Sequence, residues 1–329
     1  MSGADSGTSP ARFNVIMTSG FLAAPAVAIL QAAGCAIHYM RPYPSSQEVA
    51  ALTAAVQADA ILTRQGPVSI AAMDASPRLR VVARHGVGVD DVDIAAATAR
   101  GILVTRATGS NTRAVAEHTL AMILALAKGF RPLGVDIAEG RWRDPTASVR
   151  DLAGLRLGLV GFGGIAQAVV PMAQAFGMAV SAFAPSQRNT ALPGVTMAPT
   201  LEALLEAADV LSVHCPLTPD TRHLIDAAAL ARLPKGAMVV NTARGGIVDE
   251  TALVAYLDTG HLAGAALDVF EGEPPALDNP LRRHSKVIAT PHISGVTEAS
   301  LVSMGVMAAE CIAWALTGQP VPEALIVRG

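Results

Sequence analysis

The sequence predicts an α/β protein of two doubly wound domains, one inserted into the other. Three observations carry that prediction. Short apolar runs rich in Val and Ile alternate with Ala/Leu stretches of helical period along almost the whole chain. The runs are apolar on both faces, as strands of a parallel sheet covered on each side must be. The one turn of the form G-x-G-x-x-A between a strand and a helix stands near mid-chain, with a strand–helix alternation already complete before it.

Before that turn the predicted strands are FNVIMTS, DAILTR, RVVAR and GILVT, with helices APAVAILQAAG and SQEVAALTAAV between the first pair. A long helix over about 112–130, containing AVAEHTLAMILALAKGF, leads into the second domain; that apolar stretch carries Glu117 and His118 and is too short to span a bilayer. There the strands are LRLGLVGF, AVSAF, VLSVHCP, AMVVNTA, GAALDVF and KVIATP, separated by IAQAVVPMAQAFG, LEALLEAA and ETALVAYLDTG. The last helix, TEASLVSMGVMAAECIAWALTG, has no new strand to serve, so it is expected to return to the first domain. The boundaries that follow are 1–108 with 296–329 for one domain and 109–295 for the other, with a ligand cleft expected between them.

Composition narrows the function. A chain of 329 residues that is 51% apolar can bury two ordinary cores. A net charge of -3 leaves no basic footprint for nucleic acid and no polybasic membrane anchor. Cys35, Cys215 and Cys311 are far apart and form neither a CxxC pair nor a zinc spacing, so no metal site is expected. Free thiols fit a reducing compartment. The N-terminal MSGADSGTSPARFN is read as a disordered tail rather than a signal peptide, and the expected location is the cytoplasm.

In GLVGFGGIA, Gly161 allows a tight turn, Gly163 lets the backbone approach a diphosphate, and small Ala166 lets helix and strand pack closely. With Gly164 and Ile165 these residues open a helix whose free N–H groups and positive dipole end suit a dinucleotide. The second domain is therefore expected to be a Rossmann nucleotide-binding domain. Its second strand would end in an Asp or Glu on the adenosine ribose if it held NAD, but Ala184 stands there. Pro185, Ser186, Gln187 and Arg188 follow, and a guanidinium there suits a 2′-phosphate. NADP is thus favoured over NAD. The alternative is that Arg188 is a solvated turn residue and specificity is relaxed.

Four stretches set reactive residues at strand ends: RHGVGVDDVD, NTARGGIVDE, LDVFEGEPP and TPHISGVT. Arg244, Glu273 and His292 each follow a strand of the nucleotide domain and are positioned to face one cleft. Each has a plainer reading: Arg244 pairing with Asp249, Glu273 on a solvated acidic turn with Glu271, His292 as a structural residue. Their conjunction beside a nucleotide turn favours chemistry.

Those stretches, with NTRAVAEHTLAMILALAK and HCPLTPDTRHLI in this order, resemble the D-isomer-specific 2-hydroxyacid dehydrogenase family over nearly the whole chain. The resemblance implies a flavodoxin-like substrate domain around the Rossmann domain. It implies a catalytic set of Arg244, Glu273 and His292, and a carboxylate clasp from the backbone N–H groups of Val87 and Gly88. It also implies Asp268 and the Thr242 backbone near the nicotinamide, with Cys215 and Pro216 beside the adenosine half. In such chemistry His292 gives a proton to the carbonyl oxygen of a 2-oxo acid, Glu273 holds its ring, and Arg244 grips the carboxylate. Small substrates such as glyoxylate or hydroxypyruvate are expected.

Ala184, Arg106 and Thr108 (for the usual Asn and Pro) and Ser294 depart from the family pattern. Arg64 and Arg84 either read a phosphate or hydroxymethyl group or are surface charges. D-3-phosphoglycerate dehydrogenase and a nucleotide-sensing, corepressor-like scaffold are the alternatives. A homodimer is expected through the apolar helix after Asn111 and the GRWRD segment with Trp142, an aromatic placed to approach a partner's site.

Overall fold

The computed structural model describes residues 11–142, 148–187 and 189–328, so the expected tail up to residue 10 and Arg188 lie outside the described residues. The chain divides into two compact units, Met1–Asn111 with Thr297–Gly329, and Thr112–Val296.

The first unit carries β1 (Phe13–Met17), α1 (Ala24–Ala32), β2 (Cys35–Tyr39), α2 (Ser46–Val56), β3 (Ala60–Thr63), α3 (Ile70–Asp74), β4 (Val81–Arg84), α4 (Ile94–Ala99) and β5 (Leu103–Arg106). All its strand pairs are parallel, in the order β2-β1-β3-β4-β5, which is the flavodoxin-like order. β1, β3 and β4 are almost wholly buried, as their unbroken apolar runs require. β2, CAIHY, is a half-buried edge strand. The sequence analysis does not predict it, because CAIHY ends in His38 and Tyr39 and lacks the unbroken apolar run of the other strands. The helix Glu298–Thr317 packs on α1 and over β3 to β5 of this unit, burying Met304, Ala308, Cys311 and Ile312. Among the described residues it is the helix long and apolar enough to cross a membrane. Its apolar inner face is taken up by this core.

The second unit carries α5 (Thr112–Ala127), α6 (Phe130–Ala138), β6 (Arg156–Val160), α7 (Gly164–Ala175), β7 (Ala179–Phe183), β8 (Val195–Met197) and α8 (Leu201–Ala207). β9 (Val210–Val213), α9 (Ala227–Arg232), β10 (Ala237–Asn241), α10 (Glu250–Asp258), β11 (Leu262–Leu267) and β12 (Val287–Ala289) complete it. Its strands are again parallel, in the order β12-β11-β10-β9-β6-β7-β8. Counted from β6 this is the 3-2-1-4-5-6 Rossmann order with one strand added. The strand order reverses at β6, which pairs with β7 on one side and β9 on the other. β8 is a three-residue edge strand, too short to show a period.

The helix expected over 112–130 is in fact two. α5 ends at Ala127, and Gly129, at φ 61, turns the chain into α6. α5 buries Val115, Ala116, Thr119, Met122 and Ile123 against α7, β10 and β11 of its own unit. The expectation that this helix presents its apolar surface to a second copy is therefore corrected, because that surface is core. α6 behaves differently: none of its residues is buried, and Phe130 and Ile137 are 65% and 60% exposed. Beyond it Trp142 is 85% exposed, while Arg143 and Asp144 of GRWRD lie outside the described residues.

Candidate active site

The carboxyl ends of β6, β9, β10, β11 and β12 bring the predicted residues of the second unit to one edge of its sheet. At the reversal point Gly161, at φ 88, donates its N–H to the Phe183 carbonyl at 2.8 Å. A Cβ there would sit 2.7 Å from the Cys215 nitrogen at the end of β9. Only glycine allows both the turn and that approach. Gly163 is the N-cap of α7, with extended backbone and no side chain closing the helix end. A Cβ built on Gly163 would meet nothing within 4 Å. Ala166, fully buried one turn on, lets the helix lie close to the sheet. Open space over an uncapped helix N-terminus fits the diphosphate of a dinucleotide. Gly164 and Ile165 begin that helix, so the cradle is built from backbone N–H groups.

β7 ends at Phe183, and Ala184 follows with a turn closed by Gln187 N–H on the Ala184 carbonyl at 3.0 Å. No carboxylate stands at this strand end, and Ser186 is exposed in the turn. Across the reversal point burial pushes the Cys215 thiol up to about 11, leaving it protonated and unreactive at neutral pH. Burial also lowers the neighbouring His214 to about 4, and this neutral ring lies 2.9 Å from the Ser212 hydroxyl. Pro216 next to Cys215 is exposed.

The catalytic candidates stand on three turns that brace one another. β10 ends in Asn241, whose side-chain amide donates to the Arg244 carbonyl at 2.8 Å and accepts the Ala243 N–H at 3.0 Å. This buried Asn folds the turn that carries Arg244, the work an Asx side chain does when it replaces a backbone partner. Asp249 caps α10 by accepting the Ala252 N–H at 3.0 Å. A Cβ built on Gly245 would fall on the Phe270 carbonyl. The Arg244 turn thus lies backbone to backbone against the turn that leads to Glu273. The Phe270 N–H donates to Glu273 Oε1 at 3.1 Å, and Glu273 Oε2 lies 2.6 Å from Nδ1 of His292.

Burial pushes the Glu273 carboxyl up, but the hydrogen bond and charge of His292, the Phe270 N–H and the Arg244 guanidinium outweigh it and hold it below the usual range. Glu273 is therefore a carboxylate at neutral pH, Nδ1 of His292 carries a proton towards it, and Nε2 is left for exchange. The His292 side chain is half exposed, and Nε2 has no hydrogen-bond partner among the described residues.

His292 sits at φ 50, in the left-handed region. Its N–H donates to the Asp268 main-chain carbonyl at 2.8 Å. Fully buried Asp268 also accepts the Ile293 and Ser294 N–H groups, at 2.9 Å each, and the Thr290 hydroxyl at 2.5 Å. Asp268 organises the turn on which His292 stands, a role the sequence reading did not assign it. Thr242 is buried, with its hydroxyl on Thr119. Of the departures from the family pattern, Ser294 is buried in the Asp268 clamp. Thr108 donates its hydroxyl to the Ala324 carbonyl at 3.2 Å within the first unit.

Val87 and Gly88 belong to the first unit, in the turn after β4, where Gly86 stands at φ 151. Arg84 pairs there with Asp91 at 2.6 Å, and Arg64 and Arg106 stand at the ends of β3 and β5. In the second unit, Asn241 and the α5 residues His118 and Thr119, which contact Thr290 and Thr242, are not singled out as site residues by the sequence. A polar Asx residue closing an apolar strand is the signal that could have found the first.

Comparison with known proteins shows the family. The family described as D-isomer specific 2-hydroxyacid dehydrogenase, NAD binding domain, matches residues 120–294. D-3-phosphoglycerate dehydrogenase of Mycobacterium tuberculosis is 41% identical over 281 residues, 84% of this chain and 53% of that one. The chain thus spans about half the length of that relative. (S)-sulfolactate dehydrogenase of Chromohalobacter salexigens is 47% identical over 227 residues, 68% of this chain and 73% of its own. The crystal structure of a Thermus thermophilus protein superposes with a TM-score of 0.87 at 36% identity, covering 95% of this chain and 99% of that one.

Proposed function

The chain belongs to the D-isomer-specific 2-hydroxyacid dehydrogenase family, and from that premise we propose that it reduces small 2-oxo acids, such as glyoxylate or hydroxypyruvate, to D-2-hydroxy acids with a reduced nicotinamide dinucleotide. The observation that carries the reading is the Glu273–His292 pair at 2.6 Å on turns packed against that of Arg244. The Gly161–Ala166 turn would hold the dinucleotide, which would supply the hydride for C2. His292 holds the proton at Nε2 that the carbonyl oxygen needs, and takes it back in the oxidative direction. Glu273 keeps the ring oriented through Nδ1. Arg244 pairs its guanidinium with the substrate carboxylate and stabilises charge growing on the carbonyl oxygen. The N–H groups of Val87 and Gly88 are assigned to the same carboxylate. Asp268, the Thr242 backbone, Cys215 and Pro216 are assigned to the dinucleotide.

NADPH is the favoured cofactor. Ala184 supports this by leaving β7 without a carboxylate to repel a 2′-phosphate, and Ser186 adds an exposed hydroxyl. A second reading, a phosphorylated or sulfonated 2-hydroxy acid, draws support from the two dehydrogenases named above and from Arg64 and Arg106. The deciding experiment is a rate panel of small 2-oxo acids, including phosphorylated and sulfonated ones, with both reduced nicotinamides. Turnover of glyoxylate or hydroxypyruvate with an NADPH preference of roughly one to two orders of magnitude is expected, the worth of one charge-assisted contact. Ala184→Asp should move that preference towards NADH. Absence of oxidation across the panel would leave the scaffold reading in place.

A homodimer acting in the cytoplasm completes the proposal, with α6 and Trp142 as the contact. A helix with no buried residue and Phe130, Val135 and Ile137 exposed presents more apolar surface than a lone unit keeps in water. Light scattering at micromolar concentration should give twice the chain mass of 33.7 kDa, and Ile137→Asp with Trp142→Ala should halve it. A monomeric wild type would remove the assignment.

A further inference from the structure

Two consecutive residues of α5, His118 and Thr119, reach two different turns of the candidate site. The Thr119 hydroxyl donates to the Val115 carbonyl at 2.8 Å, so at 2.9 Å it accepts from the Thr242 hydroxyl on the Arg244 turn. Nε2 of His118 lies 3.2 Å from the Thr290 hydroxyl. That hydroxyl gives its single proton to Asp268 Oδ1 at 2.5 Å, so the His118 Nε2–H is the donor to Thr290. The relay ends on three consecutive N–H groups, those of His292, Ile293 and Ser294, which Asp268 gathers with its carbonyl and its two carboxylate oxygens.

A buried carboxylate is tolerated only when its oxygens are filled, and a chain of hydrogen bonds holds each member more firmly than isolated pairs would. The turn it holds is strained, since His292 is a non-glycine residue at φ 50. Such a conformation persists only where the surroundings over-determine it.

We propose that His118 is a positioning residue of the site. Acting through Thr290 and Asp268, it fixes the left-handed turn that presents His292. Thr119 does the same for the Arg244 turn through Thr242, so one helix sets both. The proposal rests on the reading of His292 as the proton donor, and one arm of its test does not depend on that reading.

The test compares the full chain with His118→Ala, His118→Asn and His118→Gln. The Gln amide N–H reaches about as far as Nε2, whereas Asn is polar but too short. Ala and Asn should lower kcat for a 2-oxo acid about five- to tenfold, the worth of one neutral hydrogen bond, with KM for the cofactor little changed. They should also speed amide exchange in the segment 290–296 while the β10 segment 237–241 keeps its protection. Gln should restore both. Wild-type turnover and exchange in the Asn variant, or equal impairment by Gln and Asn, would overturn the proposal. If the wild type turns over no 2-oxo acid, the functional reading fails, and the exchange comparison still decides whether His118 holds the turn.

Discussion

Replacing His292 with Ala is expected to lower turnover by ~10²–10⁴-fold, the usual contribution of a positioned general acid, with cofactor affinity nearly unchanged. The ring is half exposed and is held by the 2.6 Å contact to Glu273, so its loss removes a proton donor without opening a core cavity. Glu273→Gln is the informative companion. Its amide oxygen still accepts from Nδ1 and keeps the ring oriented, so turnover should fall less than in His292→Ala. The measurement is steady-state kcat at saturating 2-oxo acid, with cofactor binding followed by nicotinamide fluorescence. A His292→Ala variant that kept wild-type turnover would remove the assigned donor.

Gly245→Ala should be nearly as damaging, although the new methyl group carries no chemistry. Its Cβ would overlap the Phe270 carbonyl and stand 2.5 Å from the Glu271 nitrogen. Both are backbone atoms and cannot swing aside. The Arg244 turn and the Glu273 turn must therefore separate, and a misplacement of about 1 Å at reacting groups costs on the order of 10²-fold. Forcing the contact should also cost roughly 1–3 kcal/mol of stability. Gly272→Ala, one residue before Glu273, is the control: a Cβ there meets nothing within 4 Å. Measured kcat/KM and Tm should fall together in Gly245→Ala and hold in Gly272→Ala. Equal activity in the two variants would show that the packed turns do not set the site.

Much of this site could be read in the chain because its chemistry is attached to strands. Apolar runs such as AMVVN and GAAL must be buried on both faces, so the polar residues that follow must lie at the sheet edge, where Arg244, Glu273 and His292 stand. β2 and β8 escaped because CAIHY mixes His and Tyr into its half-buried run and VTM is only three residues long. The expectation that α5 presents an apolar surface fails for a related reason. Apolar content marks both α5 and α6, but composition cannot say which has a sheet beneath it, and α5 does.

By itself the sequence determined two parallel α/β units, the return of the last helix, the glycine turn at Gly161 and Gly163, and the place of Arg244, Glu273 and His292 at strand ends. These follow from local periodicity and from glycines whose conformations side chains forbid, while the roles of the three residues are what the family resemblance implies. The tertiary structure alone decided what holds the trio in place. His118 meets Thr290 across 172 residues of chain, and Thr119 meets Thr242 across 123. Gly245 rests on Phe270, and Asp268 closes around the His292 turn. Contacts at such separations leave no period in the chain, because a hydrogen bond needs its partners within about 3 Å in space and places no condition on their distance in sequence.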